Sequence, residues 1–252
     1  MIPVLGCPVL NRGDLLARML RSIDYPVGQI VIINNGDDAG VAATIDQFQM
    51  IGELPITVLK PQCNLGCARS WNEIMRVSGE YWLLIGNDIE LAAGDLAKID
   101  AFVRAHPDYV TCPANWGHSL FAVTQAGLDR IGLFDENFFP AYCEDQDHMY
   151  RVKLAGAPWA DVPDVRAIHG EPPLWGSTTI FSDPQLHARC RITQANNKEY
   201  YARKWGGAPG HETFMYPFND PTLSLKDWKI DRELAEANGN PCFNSHQKGG
   251  DS

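Results

Sequence analysis

Hydrophobic and polar positions alternate along the first 110 residues in a pattern that predicts strands and helices in turn. Four short apolar segments have the length of buried strands, at 4–10, 29–33, 56–59 and 81–85. Each is followed by apolar residues at helical spacing, over 15–23, 41–48, 67–77 and 96–103. Regular alternation of this kind predicts an α/β fold with a mixed, largely parallel central sheet and helices on both faces.

The pattern changes after residue 110. We predict a strand over 120–124, a short helix over 125–131 and a helix with an acidic start over 143–154. From residue 206 onward Gly, Pro and Asn accumulate. The chain is therefore expected to form a main domain over 1–206 and a C-terminal extension over 207–252 that packs on it, with the last residues loose.

Composition and charge restrict the class of protein. The 252 residues are 45% hydrophobic and 21% charged, which fits one large folded domain with a tail and not a disordered chain. The longest apolar runs fall far short of the ~18 residues that cross a bilayer, so we expect no transmembrane segment and a cytoplasmic protein. A net charge of −10 disfavours nonspecific binding to nucleic acid.

The seven cysteines give no sign of a structural framework. They form no CxxC pair and are odd in number, so neither a disulfide scaffold nor a zinc ribbon is indicated. We expect reduced and mostly buried thiols.

Polar side chains follow several of the predicted strands at their carboxyl ends, where ligands of parallel sheets bind. Asn11 and Arg12 follow the first strand, Asn35 the second, and Asn87 with Asp88 the fourth. A carboxylate at the position of Asp88 can hold a divalent cation that neutralises a diphosphate. A turn that caps the next helix is the alternative.

An acidic cluster begins the helix predicted over 143–154. Glu144, Asp145 and Asp147 lie within four residues after an aromatic-rich segment, and their mutual repulsion predicts that one pairs with a cation or has a raised pKa suited to general-base catalysis. Asp147 is spaced to pair with Arg151 at i+4. An acidic helix N-terminus stabilised by the macrodipole is the alternative.

Two further segments carry weaker signals. His169 ends a short apolar segment, where it either completes a metal site with Asp88 or is structural. The turn from Asn64 through Gly66 to Arg69 leads into a helix, so its amides and the Arg69 side chain either face a phosphate or cap the helix.

The order of these motifs resembles the family 2 glycosyltransferases of the GT-A fold. The resemblance runs over about residues 3–206, and its most specific part is GLFDENFF at 132–139 followed by EDQD at 144–147 and Arg151. Among the members of this family, the sequence is most similar to the rhamnosyltransferase type.

This resemblance implies a role for each candidate residue. Asp145 corresponds to the catalytic base, and Asp88 and His169 to the ligands of a divalent Mn²⁺ or Mg²⁺. Donor-binding positions are Pro8, Val9, Asn11, Arg12, Asn35, Asn64, Gly66, Arg69, Asn87 and Asp88. Acceptor-binding or supporting positions are Glu144, Asp147, Arg151 and Trp175.

The implied reaction is an inverting transfer of one sugar from a nucleotide-diphosphate sugar of the UDP or dTDP type to an acceptor hydroxyl. The acceptor is a glycan, a protein or a small molecule, and the acidic charge disfavours nucleic acid. No QxxRW signature of processive synthases occurs, which favours a single addition. Residues from Lys204 onward are either an appendage over the active-site mouth, a homo-oligomer contact or a surface tail.

Two other functions stay open at this point. Gly86 and the pair Asn34 and Asn35 stand where many relatives have acidic residues, which favours a nucleotide-sugar-binding module or an inactive relative. A nucleotidyltransferase would need a glycine-rich basic loop near the first strand, and only Arg12 is there.

Overall fold

A computed structural model describes residues 1–243. The predicted loose end falls largely on 244–252, which lie outside the described residues. None of the helices within 1–243 combines the length and apolarity that crossing a membrane requires.

A six-stranded sheet forms the centre of the fold. Its strands are, in chain order, β1 (Ile2–Val9), β2 (Val27–Asn34), β3 (Ile56–Leu59), β4 (Tyr81–Ile85), β6 (Thr111–Ala114) and β7 (Gly117–Thr124). They lie in the order β3-β2-β1-β4-β7-β6. The first four strands pair in parallel, and β7 pairs antiparallel with both β4 and β6. The prediction of a mixed, largely parallel sheet is confirmed.

Helices cover both faces of this sheet. The helices within residues 1–243, not all of which pack on this sheet, are α1 (Gly13–Arg21), α2 (Ala39–Ile51), α3 (Gly66–Met75), α4 (Asp95–Ala105), α5 (Gln125–Ile131), α6 (Glu144–Leu154), α7 (Thr178–Phe181), α8 (Pro184–Trp205) and α9 (Arg232–Ala237). Alternate side chains of β4 face opposite ways, as strand geometry requires. Leu83 and Ile85 pack in one apolar cluster with α1, α2 and α4, while Trp82 and Leu84 pack in another with α3.

A small second sheet lies beside the carboxyl ends of the main strands. It consists of β5 (Ile89–Glu90), β8 (Ile168–Glu171) and β9 (Leu174–Trp175), in the order β5-β8-β9. Ile89 pairs with His169 across the antiparallel β5 and β8 ladder. This pairing brings the loop after β4 next to a segment 80 residues further along the chain.

The longest helix, α8, is absent from the prediction. Asp183 caps it by accepting hydrogen bonds from the amides of Gln185 and Leu186, and Gly206 ends it with a φ of 75°. Such a left-handed residue favours glycine. Its buried face contains Asn197 and Lys204 besides aromatic residues, so the hydrophobic periodicity that reveals a helix is weak here.

Helix α8 and the following segment form a third apolar cluster with α6. Phe138, Tyr150 and Trp205 belong to it, and Leu234 of α9 packs there as well. The carbonyl of Lys229 also accepts a hydrogen bond from Asn137 at 2.9 Å. The division of the chain at residue 206 stays a prediction, but residues on both sides of it share this core.

The expectation that all cysteines are reduced is wrong for two of them. Cys63 and Cys242 form a disulfide that joins residues 179 positions apart, while the other five cysteines are free. The pair carries no local motif because its members meet only when the C-terminal segment packs beside the loop before α3. This covalent link holds that segment against the sheet.

Reduction of this disulfide is expected to lower the free energy of unfolding by about 2–4 kcal/mol, since a long loop is released in the unfolded chain. Denaturant titration with and without dithiothreitol measures the change. Cys242→Ser is the control, because its stability should not respond to the reductant. Seven titratable thiols in the unreduced, denatured protein, instead of five, would contradict the assignment.

Candidate active site

A cavity of about 430 Å³ lies at the carboxyl ends of β1, β2 and β4. This is where α/β sheets bind ligands, because the loops that leave the strands diverge there. Ten of the residues predicted to form the site line it: Pro8, Val9, Asn35, Asn64, Gly66, Asn87, Asp88, Glu144, Asp145 and His169. Segments far apart in sequence therefore contribute to one site.

Asn35 connects the end of β2 to the start of α3. Its side-chain amide donates to Ser70 Oγ at 2.9 Å, and its Oδ1 accepts from the Leu65 amide at 3.0 Å. The neighbouring Gly66 has a φ of 71°, and a Cβ there would lie 2.7 Å from the Pro140 carbonyl oxygen. Only glycine allows the loop before α6 to approach this closely.

Asp88 and His169 meet across the loop after β4 and strand β8. Asp88 Oδ1 lies 3.3 Å from His169 Nε2, and both side chains are buried at the cavity wall. Asp88 Oδ2 accepts from the Thr179 hydroxyl at 3.3 Å, which fixes the carboxylate from the opposite side. Asn87 donates to the carbonyl of Asn11 at 3.1 Å and so ties this loop to the end of β1.

The Asp88 and His169 pair has the donor chemistry for a divalent cation, since carboxylate oxygen and imidazole nitrogen both coordinate such metals. No third His, Cys, Asp or Glu joins them within residues 1–243. Two protein donors suffice for a cation that keeps waters and binds phosphate oxygens. The residues therefore fit a divalent cation that takes its remaining ligands from outside the protein.

The loop before α6 positions the acidic cluster. Tyr142 and Cys143 both have positive φ, at 77° and 76°, which turns the chain sharply into the helix. The buried side-chain amide of Asn197 on α8 donates to the carbonyls of Ala141 and Tyr142, at 2.9 and 3.1 Å. These contacts place the first turn of α6 at the cavity.

The three carboxylates of that turn have different surroundings. Asp145 is half-buried and lines the cavity, with Oδ1 accepting from the Gln146 amide. Glu144 is buried, and burial together with the charge of Asp145 raises its pKa well above the usual value. Asp147 points away and forms ion pairs with Arg151 at 2.9 Å and Lys204 at 2.6 Å. One carboxyl group of the cluster is thus paired with cations, and another has a pKa raised mainly by burial.

Six predicted residues lie outside the cavity lining: Asn11, Arg12, Arg69, Asp147, Arg151 and Trp175. Arg12 forms ion pairs with Asp14 and Glu171, and Arg69 lies 3.6 Å from Glu136. Asp147 and Arg151 are buried together beneath the site. Trp175 is exposed on β9. Arg12 and Arg69 are therefore paired with nearby carboxylates and do not line the cavity.

Several lining residues were missed by sequence reasoning. Trp116, His118 and Ser119 lie just before and at the start of β7, and Ser177, Thr179 and Ile180 just before and within α7. Trp116 packs edge-on against His169, with ring centroids 5.4 Å apart. The only local signal was the cluster of small and aromatic residues at 116–119 before an apolar strand.

Comparisons with known proteins identify the family of the chain and its fold. Residues 6–148 match the family model described as "Glycosyl transferase family 2". A 55-residue segment, 22% of this chain, is 33% identical to a "Galactofuranosyl glycosyltransferase" of Leishmania donovani, and it spans 11% of that protein.

Solved structures resemble the whole fold. The mannosyltransferase PcManGT from Pyrobaculum calidifontis, in complex with GDP-Man and Mn²⁺, aligns with a TM-score of 0.62 and 17% identity over 99% of this chain and 77% of that one. GalNAc-T7 with UDP, GalNAc and Mn²⁺ aligns with a TM-score of 0.61 and 12% identity, over 95% and 54%. Residues 1–349 of S. aureus TarS align with a TM-score of 0.53 and 16% identity, over 65% and 58%. These similarities confirm the predicted GT-A fold.

Proposed function

The chain belongs to glycosyl transferase family 2, and from that premise we propose that it is an inverting enzyme that moves one sugar from a nucleotide-diphosphate sugar to an acceptor hydroxyl. One observation carries the proposal: a single cavity contains the strand-end loops, the Asp88 and His169 pair, and Asp145. These groups supply a nucleotide platform, a metal site and a base within the reach of one ligand.

The donor lies along the carboxyl ends of the parallel strands. Pro8, Val9 and Asn35 receive the base and ribose, and Asn64 with Gly66 lies beside the phosphates. Relatives of the same fold are described with GDP-Man, UDP-GlcNAc and UDP, which supports a nucleotide-sugar donor as a class. We propose a donor of the UDP or dTDP type. The rhamnosyltransferase-type donor stays a prediction from the sequence, as does the cytoplasmic location.

Asp88 and His169 would hold the divalent cation, Mn²⁺ or Mg²⁺. Mn²⁺ accompanies two of the similar structures, and the donor set here suits it. When bound, such a cation neutralises the negative charge that develops on the departing nucleoside diphosphate. Thr179 and the backbone around Asn11 hold Asp88 and Asn87 in place for this role.

Asp145 accepts the proton of the acceptor hydroxyl as the oxygen attacks the anomeric carbon. Its carboxylate faces the cavity and is partly open to solvent, so an acceptor can reach it. The attacking oxygen enters opposite the leaving diphosphate, and a single displacement inverts the anomeric configuration. The buried contacts of Asp147 with Arg151 and Lys204 anchor the helix that presents Asp145.

A nucleotide-sugar panel read by thermal unfolding tests donor and metal together. UDP-glucose, UDP-GlcNAc, dTDP-rhamnose and GDP-mannose are each added with and without Mn²⁺. A bound donor at 100 times its Kd adds about 2.7 kcal/mol, or roughly 5–10 °C in Tm. Asp88→Ala should lose the Mn²⁺-dependent part of this shift.

Asp46→Ala, at an exposed position on α2, is the matched control and should keep the full shift. Transfer or donor hydrolysis with the stabilising donor separates an enzyme from a binding module. Activity that survives both EDTA and Asp88→Ala would show that the cation has no role.

A further inference from the structure

A turn at residues 116–119 lines the cavity but has no role in the proposed binding of the donor or the metal. It consists of Trp116, Gly117, His118 and Ser119, and we call it the β7 turn because it leads into β7. The Ser119 amide donates to the Trp116 carbonyl at 3.2 Å, and Gly117 has a φ of 57°. The large side chain that this turn exposes is that of Trp116.

The order of the strands places the β7 turn at one end of the cavity. Strands β2, β1, β4 and β7 are neighbours in that order, about 4.8 Å apart. Asn35 follows β2, and Asp88 follows β4. Because β7 is antiparallel to β4, with Ile85 opposite Leu120, the start of β7 lies at the same edge of the sheet. The proposed base and ribose site is at β1 and β2, so the β7 turn lies beyond the metal pair, at the sugar end.

The β7 turn also connects the metal pair with the helix that contains the proposed base. On one side, the Trp116 ring packs edge-on against His169, with centroids 5.4 Å apart. On the other side, the centroids of the His118 and His148 rings are 5.8 Å apart. His148 follows Asp145 by three positions on α6, and residues at this spacing are neighbours on the helix surface. An acceptor that reaches both Asp145 and a sugar beside the metal pair therefore lies next to the β7 turn.

The Trp116 side chain is held rigidly and yet stays open to solvent. Its Nε1 donates to the carbonyl of Ala167 at 2.7 Å, and the side-chain amide of Asn115 donates to the same carbonyl at 2.7 Å. The residue is nevertheless 41% exposed and lines the cavity. Since the polar atom of the indole already has a partner, the surface that remains for a ligand is aromatic carbon. Little side-chain freedom is left to lose when a ligand binds.

An exposed aromatic face of this kind suits the ring of a sugar. A pyranose carries C–H groups on its ring faces and hydroxyl groups around its edge, and the negative face of an aromatic ring attracts such hydrogens. The side chain of a serine or threonine has a hydroxyl group but no comparable apolar face. A nucleobase would also stack on an indole, but the proposed base site lies at the other end of the cavity. The β7 turn therefore favours a carbohydrate beside Asp145.

Resting on the proposed function, we propose that the acceptor is itself a sugar, and that its ring stacks on Trp116 while its hydroxyl group meets Asp145. The bond from the anomeric carbon to the diphosphate breaks as the bond to the acceptor oxygen forms. Asp145 takes the proton of the acceptor hydroxyl, and the nucleoside diphosphate leaves. The product is a glycosidic bond between two sugars, and Trp116 determines specificity for this class of acceptor.

Release of the nucleoside diphosphate from the full chain with Mn²⁺ tests the acceptor class. The donor is the nucleotide sugar that stabilises the protein in the thermal panel. Methyl glycosides of glucose, galactose and mannose are compared with an unstructured peptide that contains Ser and Thr. We expect a methyl glycoside to raise the release above hydrolysis by water in a saturable way, and the peptide to leave it unchanged.

The outcomes of this assay separate the inference from the proposed function. If no nucleotide sugar stabilises the protein, or no diphosphate is released under any condition, the proposed function and this inference fail together. If the donor is hydrolysed but its release rises only with the peptide, or with neither class of acceptor, the inference alone is wrong.

Variants of Trp116 assign the acceptor contact to its ring. Trp116→Ala should raise the KM of the methyl glycoside about tenfold or more, because an aromatic stacking partner is lost, while the Kd of the donor stays unchanged. Trp116→Phe should keep most of the acceptor affinity, since it retains an aromatic face and loses only the Nε1 hydrogen bond. Trp159→Ala is the matched control, because Trp159 is similarly exposed at 45% but does not line the cavity.

Three results with these variants would contradict the role of Trp116. An equal loss of donor and acceptor affinity in Trp116→Ala would mean that Trp116 only supports His169. Weaker binding of the nucleotide sugar, with unchanged binding of the bare diphosphate, would place the transferred sugar on the indole instead of the acceptor. A loss in Trp116→Phe as large as that in Trp116→Ala would assign the effect to the hydrogen bond with Ala167 and not to stacking.

Discussion

Asp145→Asn is expected to lower the rate of sugar transfer by about 10²- to 10⁴-fold while donor affinity stays unchanged. Asparagine keeps the shape of the side chain and its hydrogen bond from the Gln146 amide, but it cannot take a proton from the acceptor. Since Asp145 is partly open to solvent and is not part of the buried ion pairs, the fold should be unaffected. Steady-state kinetics and donor titration on the same preparation measure both quantities.

Variants of Glu144, Asp147 and Asp108 serve as comparisons for Asp145→Asn. Near-normal transfer by Asp145→Asn with a large loss in Glu144→Gln or Asp147→Asn would move the base to that neighbour. Loss of donor binding in Asp145→Asn would instead make Asp145 structural. Asp108→Asn, at an exposed turn outside the cavity lining, should behave as the unaltered protein.

The central sheet was predictable because its strands carry a local signal. Strand β4 is five apolar residues in a row, and its observed bounds, Tyr81–Ile85, equal the predicted ones. A strand that is buried on both faces needs only such a run, and α1 likewise follows from its apolar spacing. The clustering of the polar strand ends was also predictable, because the carboxyl ends of parallel strands lie at one edge of the sheet.

Helix α8 was not predictable from hydrophobic spacing. Its buried Asn197 and Lys204 are polar, and each is satisfied by partners more than 50 residues away in sequence. Such pairings have no local pattern. The same limit explains Arg69, whose partner Glu136 is distant in sequence, and Arg12, which pairs with distant Glu171 besides the nearby Asp14. An arginine near a strand end is available for a ligand only if it does not already form an ion pair with a carboxylate of the protein.

Asp88 and His169 illustrate what the order of motifs adds to local signals. Neither residue identifies a metal pair by itself, and the resemblance placed both near the diphosphate. The structure brings them within 3.3 Å through the pairing of β5 with β8. His118 had no counterpart in the resemblance, and only the three-dimensional lining of the cavity reveals it.

Lys204→Met is expected to lower the free energy of unfolding by about 3–5 kcal/mol. The Lys204 ammonium is buried and forms ion pairs with Asp135 at 2.8 Å and Asp147 at 2.6 Å. Burial alone would raise the pKa of Asp147, but the charges of Lys204 and Arg151 lower it below the usual value. Methionine fills the volume and leaves Asp135 without its buried cation, which is the costly way to break a buried pair.

The loss should appear as a Tm lowered by roughly 10 °C in a chain of this size. Lys198→Met lies on an exposed part of the same helix and is the matched control. The lowered pKa of Asp147 adds a pH signature: its stabilisation is complete above the unfolded pKa near 4 and is lost as pH falls toward the folded pKa. Lys204→Met should weaken this acid sensitivity, because the Asp147 pKa then rises toward the unfolded value. Equal Tm values for Lys204→Met and Lys198→Met would mean that the buried network does not hold α6 against α8.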